Sequence, residues 1–220
     1  MPGLARVVAP GLPYHVTHRG NRRQDVFFRP EDREVYKDWL SDYAQRYELA
    51  VWAYCLMTNH VHLIVSGGRS NSLARTMGCT HGLFARRQNR LHKWSGHLWA
   101  NRFFSTPLDE EHLWTAVRYV EMNPVRAGLA SNPCDYRWSS ARAHAGYVAD
   151  PLLSAERPFP GRVEDWQAWL TGYGDSEGID VIRRNTSTGR PSGSPEFVSY
   201  LEARLERTLT PEKRGPRPRN

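Results

Sequence analysis

Cysteine is scarce in this chain: Cys55, Cys79 and Cys134 stand far apart among 220 residues. Three widely spaced thiols make neither a disulfide framework nor a zinc ribbon, and they suit a reducing compartment, so a cytoplasmic protein is expected. No apolar run approaches the roughly eighteen residues of a membrane span. Prolines break the opening MPGLARVVAPGLP before it can form an apolar signal core, so no membrane role is expected. There is no G-x-x-x-x-G-K-[ST] loop to cradle a triphosphate, hence no nucleotide cofactor is expected, and no internal repeat to suggest a solenoid. Lysine is the last scarcity. Only Lys37, Lys93 and Lys213 occur among 30 basic residues, and the rest are arginine.

What is present is charge of one sign. A net charge of +7 and a pI near 9.6 call for a polyanionic partner, nucleic acid first. Guanidinium forks grip phosphate through paired hydrogen bonds and stack on bases. A GC-rich genome would raise the arginine-to-lysine ratio too, but it would not supply the net charge. The length allows one good-sized core with a small appendage.

Periodicity outlines the elements. Tyr14 to Arg19 reads as a strand that stops at Gly20-Asn21. Pro30 opens a helix to about Tyr47, with Val35, Trp39, Tyr43 and Tyr47 at four-residue steps on one face. Leu49 to Met57 and Val61 to Ser66 are β-rich runs joined at Thr58-Asn59, an antiparallel pair. Ser72 caps a helix to about Arg90, with Leu73, Met77 and Phe84 inward and Arg75, Arg86, Arg87 and Arg90 outward. Leu98 to Thr106 is a further strand, and Asp109 caps a helix from Glu110 to about Met122. That order predicts an α+β fold, a ferredoxin-like antiparallel sheet with helices packed on it. Residues 1–145 form the domain. Residues 146–194 read as a linker with room for a short helix around Trp166, Trp169 and Leu170. Residues 195–220 give an amphipathic helix (Phe197, Leu201, Leu205, Leu209) and a basic tail.

His60 and His62 flank Val61 in a strand, so their imidazoles project from one face and could chelate a divalent ion. Two histidines on a half-solvated strand face are the plainer alternative, and nine histidines in the chain raise its odds. An H-x-H-x-D-H zinc hydrolase is poorly supported, because the residues after His62 include no acid. Beside the apolar stripe Leu113, Ala116, Val117 and Val120, Tyr119 and Asn123 lie four residues apart and can address a common point. An asparagine carbonyl can serve as a metal ligand and a tyrosine as a nucleophile, although a packed amphipathic tyrosine has the same appearance. Pro124 draws Asn123 toward the helix end.

Three stretches, YCLMTNHVHLIV (54–65), GHLWANRFFS (96–105) and RYVEMNPVRAGL (118–129), resemble the single-tyrosine transposases of the HUH endonuclease superfamily, and most nearly the REP-associated tyrosine transposases. The resemblance spans roughly residues 3 to 145. It departs at Thr58, where the family often has proline, and at Ala100, where it often has glutamine. It implies His60, His62 and Asn123 as ligands of Mg²⁺ or Mn²⁺, where ligand chemistry alone leaves zinc open. It also implies Tyr119 as the nucleophile that cuts and rejoins single-stranded or hairpin DNA through a 5′-phosphotyrosine. The alternative is a non-catalytic nucleic-acid-binding regulator on the same scaffold. For DNA contacts, Arg19, Asn21, Arg22 and Arg23 follow the first strand, Arg86, Arg87 and Arg90 make a basic helix face, and Trp99, Arg102 and Phe103 offer stacking for unpaired bases. Core packing is the other reading of Trp99 and Phe103. The segment from about Thr186 is expected to strengthen DNA binding or tune cleavage without supplying catalytic groups. Monomer and homodimer both remain open.

Overall fold

The computed structural model describes residues 5–156, 163–172 and 176–210. In chain order come β1 (Pro13–Arg19), α1 (Pro30–Arg46), β2 (Leu49–Leu56), β3 (His60–Gly67), α2 (Ser72–His92) and β4 (Phe104–Pro107). The strands form one antiparallel sheet in the order β2-β3-β1-β4, which is the ferredoxin-like arrangement. After the sheet come α3 (Glu110–Glu121), α4 (Asn123–Arg126), α5 (Ala141–His144), α6 (Trp166–Thr171), α7 (Ser176–Thr188) and α8 (Pro195–Leu205).

Alternation along the strands divides the apolar side chains between two cores. Val16, Tyr54, Leu56, Val61, Leu63 and Val65 pack with Tyr36, Leu40, Met77 and Phe84 of α1 and α2. On the other face Ala53, Cys55 and Ile64 meet Leu113, Ala116, Val117 and Val120 of α3, with Trp166, Leu170 and Ile182 beyond. The side chains between Val16 and its neighbours on β1, and between Val61 and its neighbours on β3, therefore point toward α3. A small third core joins Val7 and Ala9 to Leu201 and Leu209 at the end of the chain. Asp109 links the layers, accepting from His112 N (2.8 Å) to cap α3 and from Ser194 N (2.7 Å) at the start of α8.

Four sequence expectations need correction. The buried stripe of α1 is Asp32, Tyr36, Leu40 and Ala44, one residue round from the expected face. Asp32 decides this phase. Its carboxylate accepts Phe28 N (2.9 Å) and Arg29 N (3.0 Å) and pairs with Arg87 on α2 (2.6 Å), so that edge must face α2. The last strand is shorter than expected because Asn101, with φ 51°, turns the chain between the Gly20–Trp99 bridge and Phe104. Gly20 is required at that bridge, since a Cβ there would lie 2.2 Å from the Gln24 carbonyl oxygen. The stretch expected to be a linker carries α7 as well as α6, and both pack on the second core. Arg87 is turned inward by Asp32 and is not part of an outward basic face. The basic tail 211–220 lies outside the described residues, among which no helix is long and apolar enough to cross a membrane.

Between β1 and α2, His18 and His81 touch through their Nδ1 atoms (2.7 Å). His18 Nε2–H donates to Ala100 O (3.2 Å) and Tyr36 O–H donates to His81 Nε2 (2.8 Å), so His81 Nδ1–H must donate to His18. Every partner is satisfied only while both rings are neutral. Burial holds His18 down to about 4, and burial with the neighbouring His18 holds His81 well below its usual value. Between about pH 4 and 6.5 the unfolded chain binds protons that these native rings refuse. From these two groups, stability rises with pH through that window, by up to about 2.7 kcal/mol per pH unit, and levels off above it. Urea unfolding at pH 5 and 7.5 checks this. Equal stability, or greater stability at pH 5, would contradict the neutral pair.

Candidate active site

β1 and β3 pair with Thr17 opposite His62 and Arg19 opposite His60. The two-residue period then sets His15, Thr17, Arg19, His60 and His62 on the face below α3 and α7. The packed stripe of α3 rotates Tyr119 toward the same face. Its ring meets His15 and His62 edge-on, with centroids 5.7 and 5.6 Å apart. The chain breaks at Met122 and re-enters a helix at Asn123, with Pro124 in its first turn, and Asn123 is buried at the mouth. These residues line a cleft of about 510 Å³, with Arg126 from α4 and Arg183 and Thr186 from α7. A larger hollow, about 990 Å³ beside Trp52, Glu48 and Glu156, is lined by no histidine, tyrosine or arginine among the described residues.

Carbonyl groups fix the polarity of the hydrogen bonds in the cleft. Thr186 Oγ1–H donates to Ile182 O (2.7 Å), so the same oxygen accepts from His15 Nδ1–H (2.8 Å). A neutral His15 then offers its Nε2 lone pair to His62 Nδ1–H (2.8 Å). On the other side Asn59 Nδ2–H donates to Arg23 O (3.0 Å), which leaves Asn59 Oδ1 to accept from His60 Nδ1–H (2.5 Å). Both strand histidines therefore keep the Nε2 lone pair unspent. Asn123 donates its amide N–H to Tyr119 O (3.1 Å), which leaves its Oδ1 for a ligand.

Burial keeps these rings neutral. It holds His15 near 3, and His60 near 4 with Arg19 adding repulsion; it holds His62 well below its usual value, helped by His15 and His60. Neutral imidazole is the metal-binding form. Among the described residues no three His, Cys, Asp or Glu side chains are placed to hold a metal. A divalent ion would thus draw on His60 Nε2, His62 Nε2 and the Asn123 amide oxygen, and complete its shell with oxygens from substrate or water. That donor set fits a divalent ion and carries no charge of its own.

Among the described residues no carboxylate lines the cleft. Arg126 sits 4.4 Å and Arg183 5.5 Å from the Tyr119 ring centre, and Arg126 also donates to Tyr119 O. With Arg19 they set three guanidinium groups around the phenol, of which Arg183 also pairs with Asp180 (3.3 Å), an arrangement that suits a phosphodiester.

The other candidate DNA contacts are dispersed. Arg22 and Arg23 are exposed at the end of β1 with left-handed φ of 53° and 61°, and Asn21 is half-buried beside them. Arg86, Arg90 and Arg102 are exposed. Trp99 is a correction. It is buried, stacks on His18 and His81 at 4.8 and 4.4 Å, and donates its indole N–H to His81 O, so it is core and cannot receive a base. Phe103 is half-buried beneath the Arg6 guanidinium (3.7 Å), and its face is already taken.

His15, Arg126, Arg183 and Thr186 have no place in the sequence expectation. Two two-residue steps back from Arg19, by way of Thr17, would have found His15. Thr186, at the start of the segment expected to add no catalytic group, holds the far end of the His15–His62 chain.

Residues 9–123 match the family described as IS200-like transposases, more than half of the chain. The chain belongs to that family and is a DNA-processing transposase. A similar fold is that of a REP-associated tyrosine transposase bound to a REP hairpin, with TM-score 0.58 and 15% identity over 75% of this chain and 97% of the other. A candidate transposase from Deinococcus radiodurans R1 aligns with TM-score 0.39 and 24% identity over 53% of this chain and 94% of that one. No curated protein matches.

Replacing Thr186 by valine keeps the shape and strands the buried His15 Nδ1–H. The chain should lose about 1–3 kcal/mol of stability, measured by urea unfolding at pH 7.5. A loss under about 0.5 kcal/mol would show that the hydrogen-bond chain does not depend on Thr186.

Proposed function

We propose that this transposase cuts and rejoins single-stranded DNA next to a hairpin, with Tyr119 as nucleophile and His60, His62 and Asn123 as ligands of Mg²⁺ or Mn²⁺. The observation that carries the reading is the convergence of two unspent Nε2 lone pairs, the Asn123 oxygen and Tyr119 in one cleft rimmed by Arg19, Arg126 and Arg183. The REP hairpin held by the similar tyrosine transposase supports the choice of substrate.

A bound divalent ion would polarise the scissile phosphate and offset its charge. The protein's own groups do the rest. Arg126 and Arg183 stack over the Tyr119 ring and draw the phosphodiester toward the phenol. The phenol oxygen forms a bond to phosphorus as the P–O3′ bond breaks. The phenol proton passes to solvent, and the departing 3′ oxygen takes one up. A 5′-phosphotyrosine and a 3′-OH remain, and attack by a 3′-OH reverses the step with no ATP, in keeping with the missing P-loop. His15 and Thr186 act at one remove: they hold His62 with Nδ1 protonated and Nε2 turned to the cleft. The regulator reading is disfavoured because all four positions carry competent groups in register.

Tyr119→Phe removes one hydroxyl and keeps the ring, so folding should barely change. The variant should bind a DNA hairpin with a single-stranded arm within about twofold of wild type, yet leave that arm uncut in Mn²⁺. Undiminished cutting would hand the nucleophile to another group. Tight binding by a wild type that never cuts would favour the regulator.

A further inference from the structure

We propose that Phe28, His92 and Trp94 form a stacking subsite for an unpaired nucleobase of the DNA that the transposase processes. The inference rests on the single-strand reading above. Trp99 and Phe103 are already occupied by protein, while these three rings form an aromatic cluster at the surface. His92 and Trp94 lie 4.4 Å apart at 21°, nearly parallel, and Phe28 closes on them at 4.5 and 5.4 Å. Phe28 is 39% and Trp94 44% exposed. Large rings held together in water mark a binding surface more often than chance.

The cluster is held rigid by polar contacts. Asp32 takes the Phe28 and Arg29 N–H groups and is itself fixed by Arg87. At the other end Lys93 adopts φ 54°, a left-handed turn that ends α2, and Trp94 N–H returns to Asn89 O (2.8 Å). Asn89 Nδ2–H then holds Gly96 O (2.9 Å). Two helix ends are thus locked with Phe28 and Trp94 outside the core.

Position and charge select the occupant. Val26 N–H and Phe27 N–H both donate to Thr58 O (3.0 and 3.1 Å), and the next residue, Asn59, bonds Arg23 O and His60. The aromatic cluster and the cleft therefore flank one loop at the same end of the sheet. Exposed Arg22 and Arg23 lie on that loop, and exposed Arg29, Arg90 and Lys93 adjoin the rings in sequence. A strand whose phosphate reached His60 could run past these cations and lay a base on Trp94. Bases in a duplex already stack on one another, so the subsite selects an unpaired one.

The test compares a DNA hairpin bearing a single-stranded arm with the same hairpin made blunt. Trp94→Leu, which keeps apolar bulk without a ring, should weaken the armed hairpin about five- to a hundredfold and the blunt one less than about twofold. Trp94→Phe should restore most of the affinity, and Leu91→Ala, an exposed apolar control, should change neither. 2-Aminopurine in the arm should be quenched by wild type and by Trp94→Phe only. Unchanged affinity in Trp94→Leu, equal losses on both hairpins, or lost self-association with DNA affinity intact would each overturn the subsite. A wild type that shows the Trp94-dependent arm affinity but never cuts would sink the nuclease reading and leave the subsite standing.

Discussion

The register of β1 on β3 is the constraint from which the site follows. With Thr17 opposite His62, the residues His15, Arg19, His60 and His62 share a face, and a slip of one residue would turn a whole strand over. The reverse face forbids the slip. Val16, Val61, Leu63 and Val65 are fully buried against α1 and α2. Exposing four such side chains would cost roughly 6–12 kcal/mol, comparable with the roughly 5–15 kcal/mol that holds a domain together. Chemistry on one face is registered by hydrophobic packing on the other.

A second constraint is the burial of neutral polar groups. The cleft holds histidines, an amide and arginines, and among the described residues no carboxylate lines it. Neutral imidazoles can be buried because each Nδ1–H has a defined acceptor: Asn59 for His60, and for His15 and His62 a chain that begins at one backbone carbonyl, Ile182 O. That carbonyl lies on α7, beyond the 9–123 stretch that matches the family. The C-terminal part of this chain thus takes part in setting which nitrogen of His62 faces the substrate side. The guanidinium charge gathered at the cleft is what a phosphodiester would offset.

Much of this was legible in the sequence, and the misses have physical causes. Period-two alternation gave the β3 face with His60 and His62, and the stripe Leu113, Ala116, Val117, Val120 oriented Tyr119 on α3. The same alternation applied to Tyr14–Arg19 yields His15, but one histidine among nine carries no signal until its partner is known. α1 presents two apolar stripes one residue apart, and only the Asp32–Arg87 pair, distant in sequence, chooses between them. α7 is rich in β-branched and hydroxyl residues of middling helix propensity, so its docking through Ile182 and Thr186, not its intrinsic preference, holds it. For Trp99 the sequence leaves stacking and core packing side by side, because nothing local reveals that His18 and His81 enclose it.

The claim on which all of this converges is that Tyr119 makes the covalent bond to DNA, and it can be read at a single residue. Trypsin cuts after Arg118 and Arg126, releasing an eight-residue peptide, YVEMNPVR, in which Tyr119 is the sole hydroxyl side chain. Wild-type protein incubated with Mn²⁺ and an armed DNA hairpin, then treated with nuclease and trypsin, should yield that peptide carrying the mass of a 5′-linked nucleotide. The same mass on a peptide containing Tyr136, Tyr147 or any other tyrosine, or cut DNA with no nucleotide on any peptide, would contradict the account.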